Sequence, residues 1–159
     1  MALKPGRRVT DGEDIGYFMN ETAERGIVVV HTNATSGLGE ALDDANAAVA
    51  IPGSTGGAPA GILMNDVVNL DLTRQHLNQH QDEVQINGKV TVLTNGWCVT
   101  NALPAGINPS GGQAAFHTTD GNLTNVESYV GDPNLRRPVG KFLSSRDADG
   151  YVKVQVNLP

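Results

Sequence analysis

The C-terminal end of the chain alternates strictly between apolar and polar side chains. In "VKVQVNL", residues 152–158, every second residue is Val or Leu, and Lys, Gln and Asn fill the positions between them. A period of two places all the apolar side chains on one face of a strand. Just upstream, "PVGKFLSS" has the composition of another strand, and Asp149-Gly150 between them accepts the positive φ of a tight turn. The chain is therefore predicted to end in a β-hairpin.

The same pattern recurs upstream. "KVTVLT" and "WCVTN" flank Asn95-Gly96, and "QAAFHTT" and "NLTNV" flank Asp120-Gly121, which predicts two further hairpins. "GILMNDVVNLDLT" ends in alternating residues and is predicted to be a strand, as is the apolar "GIVVVHT". The predicted strands lie near residues 27–31, 62–72, 89–94, 97–101, 113–118, 122–126, 139–144 and 151–158. We therefore expect a mainly β fold, a small β-barrel or sandwich built from hairpins.

The N-terminal third is less regular. "DGEDIGYFMNETAERG" can hold a short helix, because Asp14 can cap it and Gly26 can end it in the left-handed conformation. "GEALDDANAAV" is predicted to form a helical turn, and "IPGSTGGAPAG" behind it is predicted to be a loop. No linker is long enough to separate two domains. We expect an N-terminal arm over residues 1–13 and a single β-rich domain over residues 14–159.

Composition is consistent with one domain. A chain of 159 residues can bury about 70 % of the surface that its unfolded form exposes. The single cysteine, Cys98, rules out an intrachain disulfide. The longest apolar run, residues 47–51, is too short for a signal peptide or a membrane span. We expect a soluble protein that is made in a cytoplasm and has no membrane partner.

Charge is distributed unevenly along the chain. The net charge is −6, and residues 9–88 contain 12 acidic residues against two basic ones, Arg25 and Arg74. Binding of nucleic acid is not expected, because it requires a concentrated basic face. The basic residues gather instead in "LKPGRR" and "NLRRPVGK". Short basic patches of this kind fit an acidic protein partner or solvent.

A pair of histidines is the strongest candidate for metal chemistry. His76 and His80 lie in "TRQHLNQHQDEV" with Asp82 behind them, and positions i and i+4 of a helix share a face. A zinc-protease helix has Glu directly after its first His, but Leu77 stands there, and a third ligand is missing. The segment also lies between two predicted strands, where polar residues fit an exposed connection. We predict that the pair binds no metal.

The other motifs do not match a catalytic or cofactor-binding site. "SGLGEAL" and "GSTGGAPAG" lack the Lys-Ser/Thr ending of a phosphate loop. "RDADGY" begins like a calcium loop, but the closing Glu is absent, so a hairpin turn is predicted. Cys98 lies in a predicted strand, where an inert, partly buried thiol is expected. We expect no catalytic residue and no cofactor.

The C-terminal half resembles a known family. "GKVTVLTNGW", "PSGGQAAFHTTDGNLTN" and "PVGKFLSSRDADGYVKVQVNLP" follow one another in the strand and turn order of tailed-phage capsid cement, or head decoration, proteins. The matching elements fall at residues 89–93, 112–124, 139–143 and 152–158. The resemblance covers residues 89–159, and the N-terminal third departs from the short forms of the family by its extra acidic and Gly-rich segments.

The resemblance implies a non-enzymatic virion protein that binds the outer surface of the phage head and stabilises it by bridging subunits of the major capsid protein. We also expect self-association as a dimer or trimer on the capsid, and synthesis in the host cytoplasm. The candidate capsid-binding residues are Leu3, Lys4, Pro5, Arg7, Arg8, Arg136 and Arg137.

Two alternatives stand beside this interpretation. The first is a tail- or fibre-associated virion protein, which would share the barrel but form elongated assemblies. The second is a small metal-dependent enzyme that uses His76 and His80 with Asp82.

Overall fold

The structure, a computed structural model, describes residues 9–32, 48–53, 57–66, 83–84, 86, 88–127 and 137–158. Within these ranges the chain forms eleven strands and no helix, so the mainly β fold is confirmed. The strands are β1 (Val9–Met19), β2 (Ala23–Glu24), β3 (Val28–Thr32), β4 (Ala48–Ala50), β5 (Pro59–Asp66), β6 (Glu83–Val84), β7 (Lys89–Thr100), β8 (Ala114–His117), β9 (Leu123–Thr124), β10 (Pro138–Phe142) and β11 (Val152–Asn157).

Nine of these strands form one sheet that closes partly on itself. Their order is β1-β4-β3-β5-β7-β11-β10-β8-β9, and a further pairing of β1 with β7 closes the first five into a barrel. The β1–β4 pair is parallel, and the other pairs of the sheet are antiparallel. The remaining strands, β2 and β6, form a separate two-stranded sheet. The fold is therefore a five-stranded barrel with a four-strand extension, β11-β10-β8-β9, that continues from β7.

Strand β7 belongs to both parts, and this corrects one prediction. A hairpin was expected at Asn95-Gly96, but β7 runs without interruption from Lys89 to Thr100. Gly96 has a φ of 135° and is paired on both sides, with Thr10 of β1 and with Val156 of β11. A turn at this point would break both ladders, so pairing with two neighbouring strands overrides the local turn signal.

The predicted N-terminal helix is also wrong. Residues 9–19 form β1, which pairs with β7 from Val9↔Trp97 to Phe18↔Lys89, and Ala23 and Glu24 form β2. An isolated helix of this length is marginal in water, whereas pairing with β7 satisfies the backbone groups of β1 along the barrel. Gly26 does adopt a positive φ, 99°, but in the turn between β2 and β3.

Other predicted segments lie partly or wholly outside the described residues. Residues 9–13 of the predicted arm belong to β1, and residues 1–8 lie outside. The helical turn expected in "GEALDDANAAV" lies outside except for residues 48–49, which begin β4. Of the strand expected over residues 62–72, residues 62–66 are in β5 and the rest lie outside. The division into arm and domain stays a prediction.

The hairpins predicted at the two Asp-Gly pairs are confirmed. Strands β8 and β9 pair through Phe116↔Thr124, and the Gly121 N–H donates to the Thr118 carbonyl at 3.1 Å. Strands β10 and β11 also pair in antiparallel register, and the Gly150 N–H donates to the Asp147 carbonyl at 3.0 Å. Both glycines have a positive φ, 77° and 87°. The left-handed turn that Asp-Gly favours forms at both positions.

Consecutive side chains are buried on both faces of β3, β5 and β7 where these strands pair in the barrel. Val29, Leu63 and Val92 belong to one apolar cluster, which includes Met19, Val49 and Val90. Their neighbours Val28, Ile62 and Leu93 belong to a second cluster, which includes Val154, Val156 and Phe142 from the extension. The extension therefore packs across the outside of the barrel, and this explains why "GIVVVHT" is apolar without alternation.

Candidate functional site

The extension turns one face toward the barrel and the other away from it. Cys98 and Thr100 in β7, Val152, Val154 and Val156 in β11, and Phe142 in β10 are buried. Successive side chains of a strand point to opposite faces, so the residues between these point away from the barrel. We call this surface the outer face; its residues are Trp97, Val99, Lys141, Leu143, Lys153 and Gln155.

Cross-strand register sets the order of side chains on the outer face. Trp97 is opposite Gln155, and Gln155 is opposite Lys141, which gives a row across β7, β11 and β10. Leu143 lies beyond the end of β10, but its N–H donates to the Lys153 carbonyl at 2.7 Å and continues the pairing. Leu143 is 38 % exposed, and Lys141 is also exposed. The outer face thus presents apolar, amide and cationic groups on paired strands.

One contact links the tryptophan of the outer face to a lysine. The Lys153 Nζ lies over the ring of Trp97, 3.8 Å from its centroid. An ammonium group within about 6 Å of an indole centroid is attracted by the negative face of the ring. The contact holds both side chains in place on the surface, where aromatic residues in defined positions are favoured for protein recognition.

The strands behind the outer face carry only basic charges. β7, β10 and β11 each contain one lysine, β8 contains none, and no Asp or Glu lies in any of the four strands. Arg137 precedes β10 and is exposed. A groove of about 380 Å³ opens beside Lys141 and Gln155, with Pro138 and Asn157 also in its wall. The outer face is therefore a basic surface on a chain whose net charge is −6.

Acidic residues meet at a different place. Glu24 of β2 is opposite Glu83 of β6, and both line a second groove together with Asp120 of the β8–β9 turn. This acidic groove at β2, β6 and the β8–β9 turn contains none of the residues of the outer face.

Arg137 is the one predicted capsid-binding residue that the structure describes. Its backbone N–H lies 3.4 Å from Nε2 of His117, and the Nδ1 of His117 lies 3.4 Å from the Thr118 carbonyl oxygen. Donation from Arg137 makes Nε2 the acceptor, so Nδ1 carries the proton. The buried His117 ring therefore links the chain before β10 to the end of β8.

The other candidate residues lie outside the part of the chain that the structure describes. Leu3, Lys4, Pro5, Arg7, Arg8 and Arg136 lie outside the described residues. The same holds for His76, His80 and Asp82, and the absence of a metal there stays a prediction. Among the residues that the structure describes, no group of three or more His, Cys, Asp or Glu side chains could hold a metal ion. In the same part of the chain, no helix is long and apolar enough to cross a membrane.

The segment that begins like a calcium loop forms a turn closed by its own carboxylate. Oδ1 of Asp147 accepts hydrogen bonds from the N–H groups of Asp149, at 3.1 Å, and Tyr151, at 2.7 Å. The neighbouring Arg146 donates to the carbonyls of Gly150 and Leu103, both at 3.2 Å. The turn predicted at "RDADGY" is therefore confirmed.

Comparison with known families decides the identity. A family model described as "Structural cement protein (E217 gp24/Pam3 gp6)" matches residues 7–157. The chain belongs to the phage structural cement proteins. A comparison with curated proteins finds no match. The match confirms the resemblance seen in residues 89–159 and extends it through the N-terminal third, where the sequence had shown departures from the short forms.

Membership of this family implies a structural role and a place on the phage capsid. In this cement protein the matched range begins at Arg7, so the first three candidate residues of the arm, Leu3, Lys4 and Pro5, lie outside it. The β1 strand and the whole extension lie inside it.

The outer face of this cement protein was missed by sequence reasoning. The hairpin predicted at Asn95-Gly96 placed Trp97 in a different strand pair, away from its true neighbour β11. A signal was nevertheless present, because Lys153 and Gln155 occupy the polar positions of the strictly alternating C-terminal strand. Sequence alone did not show that Trp97 lies beside them.

Proposed function

We propose that this protein binds the outer surface of the phage head and stabilises the head by bridging neighbouring subunits of the major capsid protein. The observation that carries the proposal is the family match over residues 7–157. The fold suits the role, because a barrel with a packed extension offers a stiff body that can span a junction between subunits. Many weak contacts on a repeating lattice together give tight attachment.

The role that we propose requires no chemical reaction. Cement between subunits acts by adding buried contact area, and specific interfaces of about 1,200–2,000 Å² are stable without covalent bonds. The protein is synthesised in the host cytoplasm in this proposal and joins the head after the shell has formed.

The N-terminal arm has a place in the same proposal. "ALKPGRR" contains Pro5 and Gly6, which disfavour a helix, so an extended conformation suits it. Leu3 and Pro5 supply small apolar contacts, and the basic side chains of Lys4, Arg7 and Arg8 pair with carboxylates of a neighbouring subunit. Arg136 and Arg137 add a second basic contact. Dimers or trimers of the protein then occupy junctions between capsid subunits.

The test is reconstitution on heads of the same phage that lack the cement protein. Purified protein is added, and decoration is measured by cryo-electron microscopy together with the temperature at which the heads release DNA. We expect ordered density on the outer surface, in contact with at least two capsid subunits, and a higher release temperature. Density on the tail alone would instead support a tail-associated protein, and absence of binding to any part of the particle would refute the proposal.

A further inference from the structure

We propose that the outer face is the surface that docks on the capsid, and that its partner is a carboxylate-bearing surface of the capsid shell protein. This inference rests on the proposed function and deepens it by naming the docking surface and the charge of its partner. It adds a contact beyond the one proposed for the basic N-terminal arm.

The first argument is that apolar side chains lie on both faces of the extension, although only the inner face packs against the barrel. Its inner face is filled by the apolar cluster that includes Val28 and Ile62 of the barrel and Val154 of the extension. Its outer face still presents apolar groups, since Leu143 is 38 % exposed and Trp97 and Val99 are only partly buried. Apolar side chains on the far side of a strand layer gain free energy when a partner covers them.

The second argument is charge. Lys141 and Lys153 are the charged residues of the outer face, and the strands that carry it contain no acidic residue. Symmetric pairing of this face with the same face of a second copy would bring lysines toward lysines, which costs free energy. A partner rich in carboxylates is attracted instead. Charge therefore favours a different protein surface over a symmetric dimer.

The third argument is pre-organisation. The Lys153 Nζ lies 3.8 Å from the centroid of the Trp97 ring, so both side chains are already ordered before a partner arrives. Gln155 lies between Trp97 and Lys141 in the cross-strand row and adds an amide donor and acceptor. Side chains that are ordered in the free protein lose less conformational entropy on binding. Tryptophan is also the residue type most enriched at the energetic centres of interfaces.

The experiment compares matched charge reversals on intact protein. Lys141→Glu changes an exposed lysine of the outer face, and Lys89→Glu makes the same change of net charge at the opposite end of β7, at a partly buried lysine whose Nζ lies 5.6 Å from the centroid of the Phe18 ring. Trp97 is eight positions after Lys89 along the strand, which corresponds to about 26 Å. Both variants and the original protein are titrated onto cement-free heads of the same phage at about 0.05 M and about 0.5 M NaCl, a range in which screening changes strongly.

We expect Lys141→Glu to weaken binding about three- to tenfold at the lower salt concentration, with a smaller loss at the higher one. Lys89→Glu is expected to bind as the original protein does. Thermal unfolding of each variant checks that the fold is kept, and Lys141→Gln replaces the charge reversal if Lys141→Glu does not fold. Lys153→Gln tests the second cation of the face and is expected to weaken binding in the same direction.

Three outcomes would overturn the inference while leaving the proposed function in place. They are unchanged binding of Lys141→Glu, equal weakening by Lys141→Glu and Lys89→Glu, and loss of self-association by Lys141→Glu in sedimentation velocity without heads. The last result would assign the face to a contact between copies, with the acidic surface at Glu24 and Glu83 as the counterpart. Failure of the original protein to bind heads at all would refute the proposed function itself, which makes the two failures distinguishable.

Discussion

Lys153 and Trp97 lie on neighbouring strands of the extension, and the Nζ of Lys153 is 3.8 Å from the centroid of the Trp97 ring. Trp97 is directly opposite Gln155, so Lys153 reaches it diagonally across the β7–β11 ladder. Diagonal neighbours of this kind are within reach of long and aromatic side chains. The contact therefore links β7, which belongs to both the barrel and the extension, to β11.

We predict a measurable coupling between these two residues. A double-mutant cycle with Trp97→Ala and Lys153→Ala is expected to give a coupling of about 0.5–1 kcal/mol in the free energy of unfolding, the size of a partly exposed cation–π pair. Urea denaturation of the four proteins provides the measurement. Lys153→Gln with Trp97 intact is the control, because it keeps most of the side chain and removes the charge. Additive effects of the two alanine substitutions would show that the contact contributes nothing to stability.

Gly140 in β10 is predicted to tolerate no side chain. A Cβ at this position would meet the carbonyl oxygen of Gln155, on the paired strand β11, at less than contact distance. We expect Gly140→Ala to lower the free energy of unfolding by about 1–3 kcal/mol, as overpacking does elsewhere. Hydrogen exchange is expected to accelerate in β10 and β11 before it does in β1 and β5.

Gly106→Ala is the control for the crowding at Gly140. Gly106 has a φ of 85° and nothing within 4 Å of an added Cβ, so its substitution tests backbone strain without crowding. That strain is worth about 1–2 kcal/mol. If Gly140→Ala left the exchange rates of β10 and β11 unchanged, the close approach of the two strands would not be what requires glycine.

The buried hydroxyl of Thr100 is predicted to stabilise the fold through two hydrogen bonds. It donates to the Gly26 carbonyl and accepts from the Ala102 N–H, both at 3.1 Å, and the residue is fully buried. Thr100→Val keeps the shape but leaves these two polar groups without their hydroxyl partner. We expect a loss of about 1–3 kcal/mol in the free energy of unfolding, the cost of unsatisfied buried groups.

Thr100→Ser is the matched control, since it keeps the hydroxyl and removes one methyl group. It is expected to cost about 0.5–1.5 kcal/mol, the range for removal of a single buried methyl group. Equal stability of the Val variant and the original protein in chemical denaturation would mean that the two hydrogen bonds contribute nothing net.

Deletion of residues 2–8 is predicted to weaken binding to the phage head without changing the stability of the fold. β1 begins at Val9, so the melting temperature should stay nearly unchanged. Occupancy on cement-free heads should fall, most clearly at low salt, because screening weakens the charge pairs of the arm in the intact protein. A full-length variant with Gln in place of Lys4, Arg7 and Arg8 separates charge from chain length. If the truncated protein decorated heads as fully as the intact one at every salt concentration, the arm would have no role in binding.

The local sequence pattern was sufficient to predict the strands whose pairing partners are close in sequence. The alternating residues of β11 and the Asp-Gly pairs at positions 120–121 and 149–150 predicted strands and turns that the structure confirms. Such hairpins depend on turn conformation and on a period of two, and both can be read over about ten residues. The resemblance to phage cement proteins came from this same half of the chain, and the family match confirms it.

Elements whose partners are distant in sequence were decided by tertiary structure. Asn95-Gly96 has the strongest turn signal, yet Gly96 remains inside β7 because β1 and β11 pair with it from both sides. Residues 14–19 were predicted as helix and form strand, since the barrel closes only when β1 pairs with β7. The outer face depends on the same long-range pairing, because Trp97 meets Lys153 only where β7 and β11 are neighbours. Alternation along a single strand determines which side chains share a face, but the identity of the neighbouring strand depends on the packing of the whole chain.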